Sequence, residues 1–357
     1  MGCVTGSRGW ASIRRPEPVS PSVFDGHNDA LSRLARAGPA AARGFLAGDG
    51  AGHLDLPRAV RGGFAGGCFA VFTCCPSDED FESDAYFAAV DQPRALAEAL
   101  AQVALLLRLE RESGGQLRIA RAPDELDGEG IAAVLHLEGA EPFTPGLDAL
   151  DVLHAAGMRS LGLVWSRPNA FATGVPFAFP GSPDQGPGLT DAGRALVRAC
   201  GELRILIDLS HLNARGFWDV AALSAAPLVA SHSGAHALCP SPRNLTDDQL
   251  RAIGDSDGLV GINFCVGFLR GDGADDTATP LSAIAAHAAH VAEVAGVDAV
   301  ALGSDFDGAT MPAALGDVSG LPAVLDALRA AGFGEADVEK VAYRNWWRVL
   351  EATWGVG

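Results

Sequence analysis

The sequence predicts an α/β protein built as a (β/α)8 TIM barrel. Three observations carry that prediction. Eight short apolar segments, at 22–26, 66–73, 131–137, 159–165, 204–210, 227–231, 258–264 and 298–303, have the length and bounds of buried strands. Strands covered by helices on both faces read as continuous apolar runs of this kind. Helical spacing fills the intervals at 88–112, 146–156, 190–202, 214–225, 246–254 and 280–296, and continues at 321–331 and 335–351 after the last strand. Such alternation predicts a parallel sheet. No glycine-rich dinucleotide or phosphate-binding signature follows any strand, which weakens the open doubly wound sheet as the alternative.

The bulk properties agree. With 357 residues and 48% hydrophobic content, the chain can bury one large core, and barrels of this length often form one domain. We read 22–357 as a single barrel domain with C-terminal helices. It follows an irregular leader over 1–21 that contains Pro16, Pro18 and Pro21. Between Met1 and Ser22 no apolar run resembles a signal sequence, and Gly6 stands where N-terminal acylation needs Ser or Thr. No uncharged apolar stretch reaches the 18 or so residues of a membrane span. Net charge is 26 − 44 = −18, which argues against nucleic acid or an anionic membrane as partner, since both require basic surface. The seven cysteines are irregularly spaced, include the adjacent Cys74-Cys75 and form no CxxC. They read as reduced thiols, and the expected compartment is the cytoplasm.

Two stretches resist regular structure. Residues 167–189 carry Pro168, Pro176, Pro180, Pro183 and Pro187 among Phe171, Phe177 and Phe179. Residues 265–280 carry Gly271, Asp272, Gly273, Asp275 and Asp276. Both follow strands, so both are expected to overhang the barrel mouth and shape access to it.

The polar residues at the strand ends suggest a metal site, because barrels gather such residues at one face. His27 and Asp29 form His-x-Asp. In an extended segment i and i+2 face the same side, so one imidazole and one carboxylate reach a single cation. Glu138 ends the third strand, and its two oxygens can join two ions. His211 and His232 end strands five and six, 21 residues apart, the length of one strand–helix–strand unit. Imidazole with carboxylate suits Zn²⁺ or a similar divalent ion. Taken singly, each histidine has a bland reading as a satisfied core or surface residue. Five donors at strand ends are a sharper signal, since unpaired polar groups there are expensive. Asp305 follows strand eight as a candidate proton acceptor and donor, with Asp307 as the alternative acid or a helix cap. Two ions about 3.5–4 Å apart would share a hydroxide nucleophile. Asp25 and Asp208 are read in supporting roles. Ser233 lacks the GxSxG context of a serine hydrolase.

These residues resemble the membrane (renal) dipeptidase family, peptidase family M19, a zinc-dependent branch of the amidohydrolase superfamily. The anchors are Asp25-Gly26-His27-Asn28-Asp29, Leu137-Glu138-Gly139, Ile207-Asp208-Leu209-Ser210-His211, Ser231-His232-Ser233, Arg243-Asn244 and Gly303-Ser304-Asp305-Phe306-Asp307-Gly308. The resemblance implies two zinc ions, one held by His27 and Asp29, the other by His211 and His232, with Glu138 bridging. It implies Asp305 as the acid/base residue, Arg243 as the holder of a substrate carboxylate, and a homodimer that hydrolyses dipeptides, some with a C-terminal D-residue. Two positions depart from the family pattern. Trp165 stands where a substrate-contacting His is usual, with Arg167 or Asn169 as substitutes from the same loop. Cys265 stands where the mammalian-type enzymes carry a Tyr. The substrate pocket is therefore expected to be assembled from Arg243, Trp165, Asn169 and Cys265. Those departures leave two alternatives in view: hydrolysis of N-acyl amino acids or related amides and lactones on the same barrel, and an inactive metal-containing scaffold.

Overall fold

The computed structural model describes residues 21–38, 40–74 and 86–355. The leader expected over 1–21 lies outside the described residues except for Pro21. All eight expected strands are present: β1 (Val23–Asn28), β2 (Phe64–Phe72), β4 (Ile131–Glu138), β5 (Met158–Gly162), β6 (Leu206–Asp208), β7 (Val229–Ser233), β8 (Leu259–Ile262) and β9 (Val300–Leu302). They pair in parallel in the order β1-β2-β4-β5-β6-β7-β8-β9, and the Asp25↔Leu302 pairing between β1 and β9 closes the ring. This is the (β/α)8 barrel expected from the apolar segments.

A ninth strand, β3 (Leu117–Ile119), adds to the base of β4 through Leu117↔Ile131. It occupies the edge of β4 below the point where β5 begins pairing at Leu135↔Met158. Three residues carry too little pattern to stand out from their surroundings. The connection between β1 and β2 is also more regular than its sequence suggests, with helices at Ala30–Ala37, Ala41–Ala47 and Leu56–Arg61. Asp55 caps the last of these by accepting from the Arg58 backbone N–H at 2.9 Å.

The helices Gln92–Glu112, Asp191–Leu203, Ala214–Leu223, Asp247–Asp255 and Leu281–Ala295 cover the outer face of the sheet. Helix Asn345–Trp354 packs beneath the barrel. Trp346 lies fully buried against Phe24, Val349 and Leu350. Its indole N–H donates to the Leu302 carbonyl at 3.0 Å, and the Asn345 amide donates to the Val300 carbonyl at 2.7 Å. Gly26 makes room for this packing, since a Cβ there would lie 2.6 Å from the Trp346 ring and 2.2 Å from the Ser231 carbonyl oxygen.

Both long loops meet the barrel mouth. The first runs beside His211, through the Gly174↔Leu212 bridge and a bond from the Val175 N–H to the His211 carbonyl at 2.8 Å. The second contains one short helix, Val266–Leu269, within the stretch expected to be irregular.

Candidate metal centre

Strand ends and the turns just past them place the donors. Glu138 is the last residue of β4, and His27 and His232 lie within β1 and β7. His211 and Asp305 lie in the turns just past their strands, which end sooner than the expected 204–210 and 298–303. β6 ends at Asp208 and β9 at Leu302, and His211 and Asp305 adopt left-handed backbone, each with φ 65°. Such conformations cost a non-glycine residue roughly 1–3 kcal/mol and persist where the surroundings enforce them. Here they turn the side chains off the ladder and over the mouth. Asp307, with φ 68°, continues the same turn. Its carboxylate accepts from Arg33 Nε at 2.9 Å and from the His53 backbone N–H at 2.5 Å. That occupies the oxygens of the residue considered as an alternative acid.

The donors converge on Glu138. Its Oε2 lies 3.6 Å from His27 Nε2. Its Oε1 lies 3.1 Å from His211 Nε2 and 3.6 Å from His232 Nε2. Asp29 Oδ2 lies 3.4 Å from His27 Nε2. The groups His27–Glu138–His232 and His27–Asp29–Asp305 each bring three ligand atoms within 4.8 Å of one another, all in buried residues. One carboxylate oxygen thus faces each half of the set, and the whole is a binuclear metal-binding site with Glu138 between the halves.

The electrostatics fit cations. Burial depresses the His27 imidazole, but Glu138, Asp29 and Asp305 outweigh it and carry it up to about 10. Burial pushes Glu138 up to about 8 against the opposing pull of His27. Three carboxylates crowd around His27, whose Nε2 has no hydrogen-bond partner among the described residues. Divalent ions would relieve both costs. Burial holds His211 and His232 well below the ordinary imidazole value, with Arg243 adding to the effect on His211 and His27 and Arg243 on His232. Both are therefore neutral, the form that ligates. Asp305 is raised by burial, with His27 opposing, and its Oδ2 accepts from the Asn263 amide at 2.9 Å.

Backbone-anchored carboxylates support these ligands from below. Asp208 accepts from the backbone N–H groups of Ser210 and Ser231 at 3.0 and 2.7 Å, and from Ser231 Oγ at 2.5 Å. Ser231 Oγ in turn lies 2.8 Å from His232 Nδ1. Asp25 accepts from the Ser304 N–H at 2.6 Å and its hydroxyl at 2.8 Å. That pins the turn leading to Asp305.

The expected pocket residues are placed as follows. Arg243 is 2% exposed. It donates to the His232 carbonyl at 2.8 Å, lies 5.5 Å over the Phe268 ring, and keeps an unpartnered Nε. Trp165 is buried, 5.9 Å from the His211 ring by centroids, 5.4 Å from Phe177 and stacked at 5.6 Å on Phe87. The Cys265 N–H donates to Asn263 Oδ1 at 2.6 Å, and burial, then Asp305, pushes its thiol up to about 12. Asn169 spends its amide on its own loop, donating to the Leu163 carbonyl and accepting from the Phe171 and Ala172 N–H groups. Arg167 is fully buried and bonds Glu141 at 2.8 Å and the Thr73 carbonyl at 2.7 Å.

Three neighbours of the site escape the strand-end reasoning. Phe87 comes from the segment after β2, well past the end of that strand. Glu141 follows Glu138 and holds Arg167. His136 lies on β4, fully buried beside His27, their rings edge-on at 5.4 Å. The i, i+2 rule that pairs His27 with Asp29 would have found it, because His136 and Glu138 share the same parity.

Comparison with known proteins bears directly on this centre. The family model for membrane dipeptidase (peptidase family M19) matches residues 19–356. A Klebsiella pneumoniae protein of the pqqA 5' region is 48% identical over 257 residues, covering 71% of this chain and 95% of that one. A metallopeptidase from Rhodobacter sphaeroides, solved with a phosphinate mimic of the dipeptide L-Ala-D-Ala, is 46% identical. It superposes with a TM-score of 0.89 over 94% of this chain and 100% of its own. The dipeptidase AC, a metallopeptidase of family M19, is 48% identical with the same TM-score and the same coverage.

Proposed function

The chain belongs to the membrane dipeptidase family, the metallopeptidases of family M19, and we propose that it hydrolyses dipeptides, including those with a C-terminal D-residue, with two zinc ions. The Rhodobacter relative bound to an L-Ala-D-Ala mimic supports that substrate class. His27 and Asp29 would hold one ion, His211 and His232 the other, and Glu138 both. Imidazole nitrogens with carboxylate oxygens are donors that suit zinc. Bound there, zinc supplies a Lewis acid for the peptide carbonyl and lowers the pKa of water.

The protein's own groups do the rest. Arg243 receives the substrate carboxylate, for which its unpartnered Nε and planar fork are suited. Asp305, raised by burial, takes the proton of the attacking water and returns it to the departing amine. Phe177 and Phe268 lie 5.6 Å apart between His211 and Arg243, and with Trp165 they present apolar surface to the substrate side chains. Carrying the reading is the division of Glu138, one oxygen toward His27 and the other toward His211 and His232.

The test is a panel of L,L and L,D dipeptides, N-acyl amino acids and lactones, assayed with metal-replete protein of measured metal content. Dipeptide turnover at two metals per chain, lost with chelator and restored by zinc, is the expected result. A preference for N-acyl amino acids would shift the substrate class. No turnover with two metals bound would favour the scaffold reading. The family resemblance also supports a homodimer, which light scattering at twice the 36.7 kDa chain mass would bear out. No helix among the described residues is long and apolar enough to cross a membrane. The unpaired Cys68, Cys74, Cys200, Cys239 and Cys265 support a reducing cytoplasmic setting.

A further inference from the structure

A histidine that ligates a metal through one ring nitrogen usually gives the other to a hydrogen-bond partner, which fixes the tautomer and the ring plane. Two of the three imidazoles around Glu138 have such a partner. Ser166 Oγ lies 2.8 Å from His211 Nδ1. Ser231 Oγ lies 2.8 Å from His232 Nδ1 and is itself anchored by Asp208. His27 differs, since neither of its ring nitrogens finds a hydrogen-bond partner among the described residues. Its Nε2 is the nitrogen at Asp29 and Glu138, which leaves Nδ1 on the far side of a fully buried ring. A buried donor left without an acceptor is costly.

Another orphan lies next to it. His136 Nδ1 is 2.9 Å from Ser160 Oγ, yet His136 Nε2 has no hydrogen-bond partner among the described residues and lies 3.6 Å from Asp208 Oδ2. Ligand atoms of His27, His136 and Asp208 lie within 4.8 Å of one another. Two hydrogen bonds of about 2.8 Å through one water span that separation, and three polar partners suffice to hold a buried water.

We propose that His136 is a positioning residue for His27: with Asp208 and one water it holds the His27 Nδ1–H, so that the Nε2 lone pair points toward Asp29 and Glu138. The hydrogen bonds balance. His27 Nδ1–H donates to the water, and the water donates to His136 Nε2 and to Asp208. His136, a neutral ring with one donor and one acceptor, gives its Nδ1–H to Ser160. Asp208 then buttresses both halves of the centre, His232 through Ser231 and His27 through the water. This inference rests on the two-ion reading of the site and not on the choice of substrate.

The test is metal binding by His136→Phe and His136→Gln, read by competition with a chelator of known affinity. Phe fills the space without an acceptor, while the Gln carbonyl can stand in for Nε2. Wild type should bind two zinc ions. His136→Phe should bind one of them roughly 10–100-fold more weakly, the loss typical of removing an outer partner, and leave the other unchanged. His136→Gln should recover most of the difference. In zinc-loaded protein labelled with ¹⁵N on its histidines, the His27 ring should carry its proton on Nδ1, in a resonance protected from solvent exchange. That signal is read on wild type, so an Nδ1–H that exchanges freely with solvent would overturn the proposal even if His136→Phe does not fold. Equal binding of both ions by wild type and His136→Phe would overturn the proposal, as would a His27 protonated on Nε2. So would a third zinc equivalent in wild type that His136→Phe loses, since the pocket would then be a cation site. Wild type that binds no zinc would overturn the two-ion reading as well. Two bound ions without dipeptide turnover would leave this inference standing and sink only the peptidase proposal.

Discussion

The floor and the mouth of this barrel are made by the same eight strands, and they differ in what their side chains are asked to do. At the floor, Trp346 is fully buried among Phe24, Val349 and Leu350, and its one polar atom is paired with the Leu302 carbonyl. At the mouth, three carboxylates and three imidazoles crowd together, two of them on residues in left-handed backbone. The packing of Trp346 and its paired indole favour folding. At the mouth, several local choices oppose it. Such conflicts concentrate where function is performed and are offset elsewhere in the molecule. The comparison predicts that changes at one end move activity and changes at the other move stability.

The largest effect is expected from Asp305→Asn. Asn is nearly isosteric with Asp and tolerates left-handed backbone, as position 305 requires with its φ of 65°. The variant loses the carboxylate that accepts and returns the proton, and turnover should fall about 10²–10⁴-fold. Metal content, by atomic emission, and the unfolding midpoint should stay near wild type. Undiminished turnover would remove Asp305 from the chemistry. A large fall in stability would show that the mouth contributes to folding after all.

Trp346→Ala addresses the other end. It removes a large buried side chain and its bond to Leu302, and truncations of that kind cost roughly 3–5 kcal/mol. Urea unfolding should show the loss, while the affinity for two metals in the folded protein stays within a few-fold of wild type. A large drop in metal affinity with little change in stability would erase the distinction between the two ends.

The two ends were also unequally legible in the sequence. Apolar runs such as 131–137 and 258–264 announce strands because parallel strands are buried on both faces, and all eight are found. Glu138, His211, His232 and Asp305 were legible because a polar, metal-binding side chain is conspicuous at the end of an apolar run. What stayed hidden was what the pattern is too short or too plain to mark. β3 has three residues. The helices between β1 and β2 lie in a stretch rich in Ala, Gly and Arg. Phe87 enters the site from far along the chain, where it looks like any other aromatic. His136 sits inside the run Val134-Leu135-His136-Leu137-Glu138 and passes for a core histidine. Its shared parity with Glu138 is the one sequence signal, and the neighbouring rings and carboxylate show what that signal means. The positions of Ser166 and Ser231 behind His211 and His232 likewise depend on how strands converge, which local spacing does not encode.

His287 lies between the two regimes and gives the smallest and sharpest test. It sits on helix Leu281–Ala295, outside the barrel, fully buried. Its Nδ1 accepts from the Ala235 N–H at 2.9 Å, and its Nε2 lies 3.1 Å from the Leu269 carbonyl, to which it donates as the neutral Nε2–H tautomer. One neutral ring thus ties together two loops that border Arg243. Burial lowers its pKa from 6.5 to about 4. The unfolded chain therefore binds the proton more readily than the folded one between those values. The contribution to stability is complete above pH 6.5 and is lost as the pH falls toward 4, to a limit of roughly 3 kcal/mol. His287→Gln cannot titrate there. It should be less stable at pH 7, and from pH 7 to 4.5 it should lose less additional stability than wild type, by about 1–3 kcal/mol. Acid release of the metals is common to both proteins and cancels in the difference. Parallel stability curves for the two proteins across that range would mean that His287 titrates normally, and that the Arg243 loop is held by other contacts.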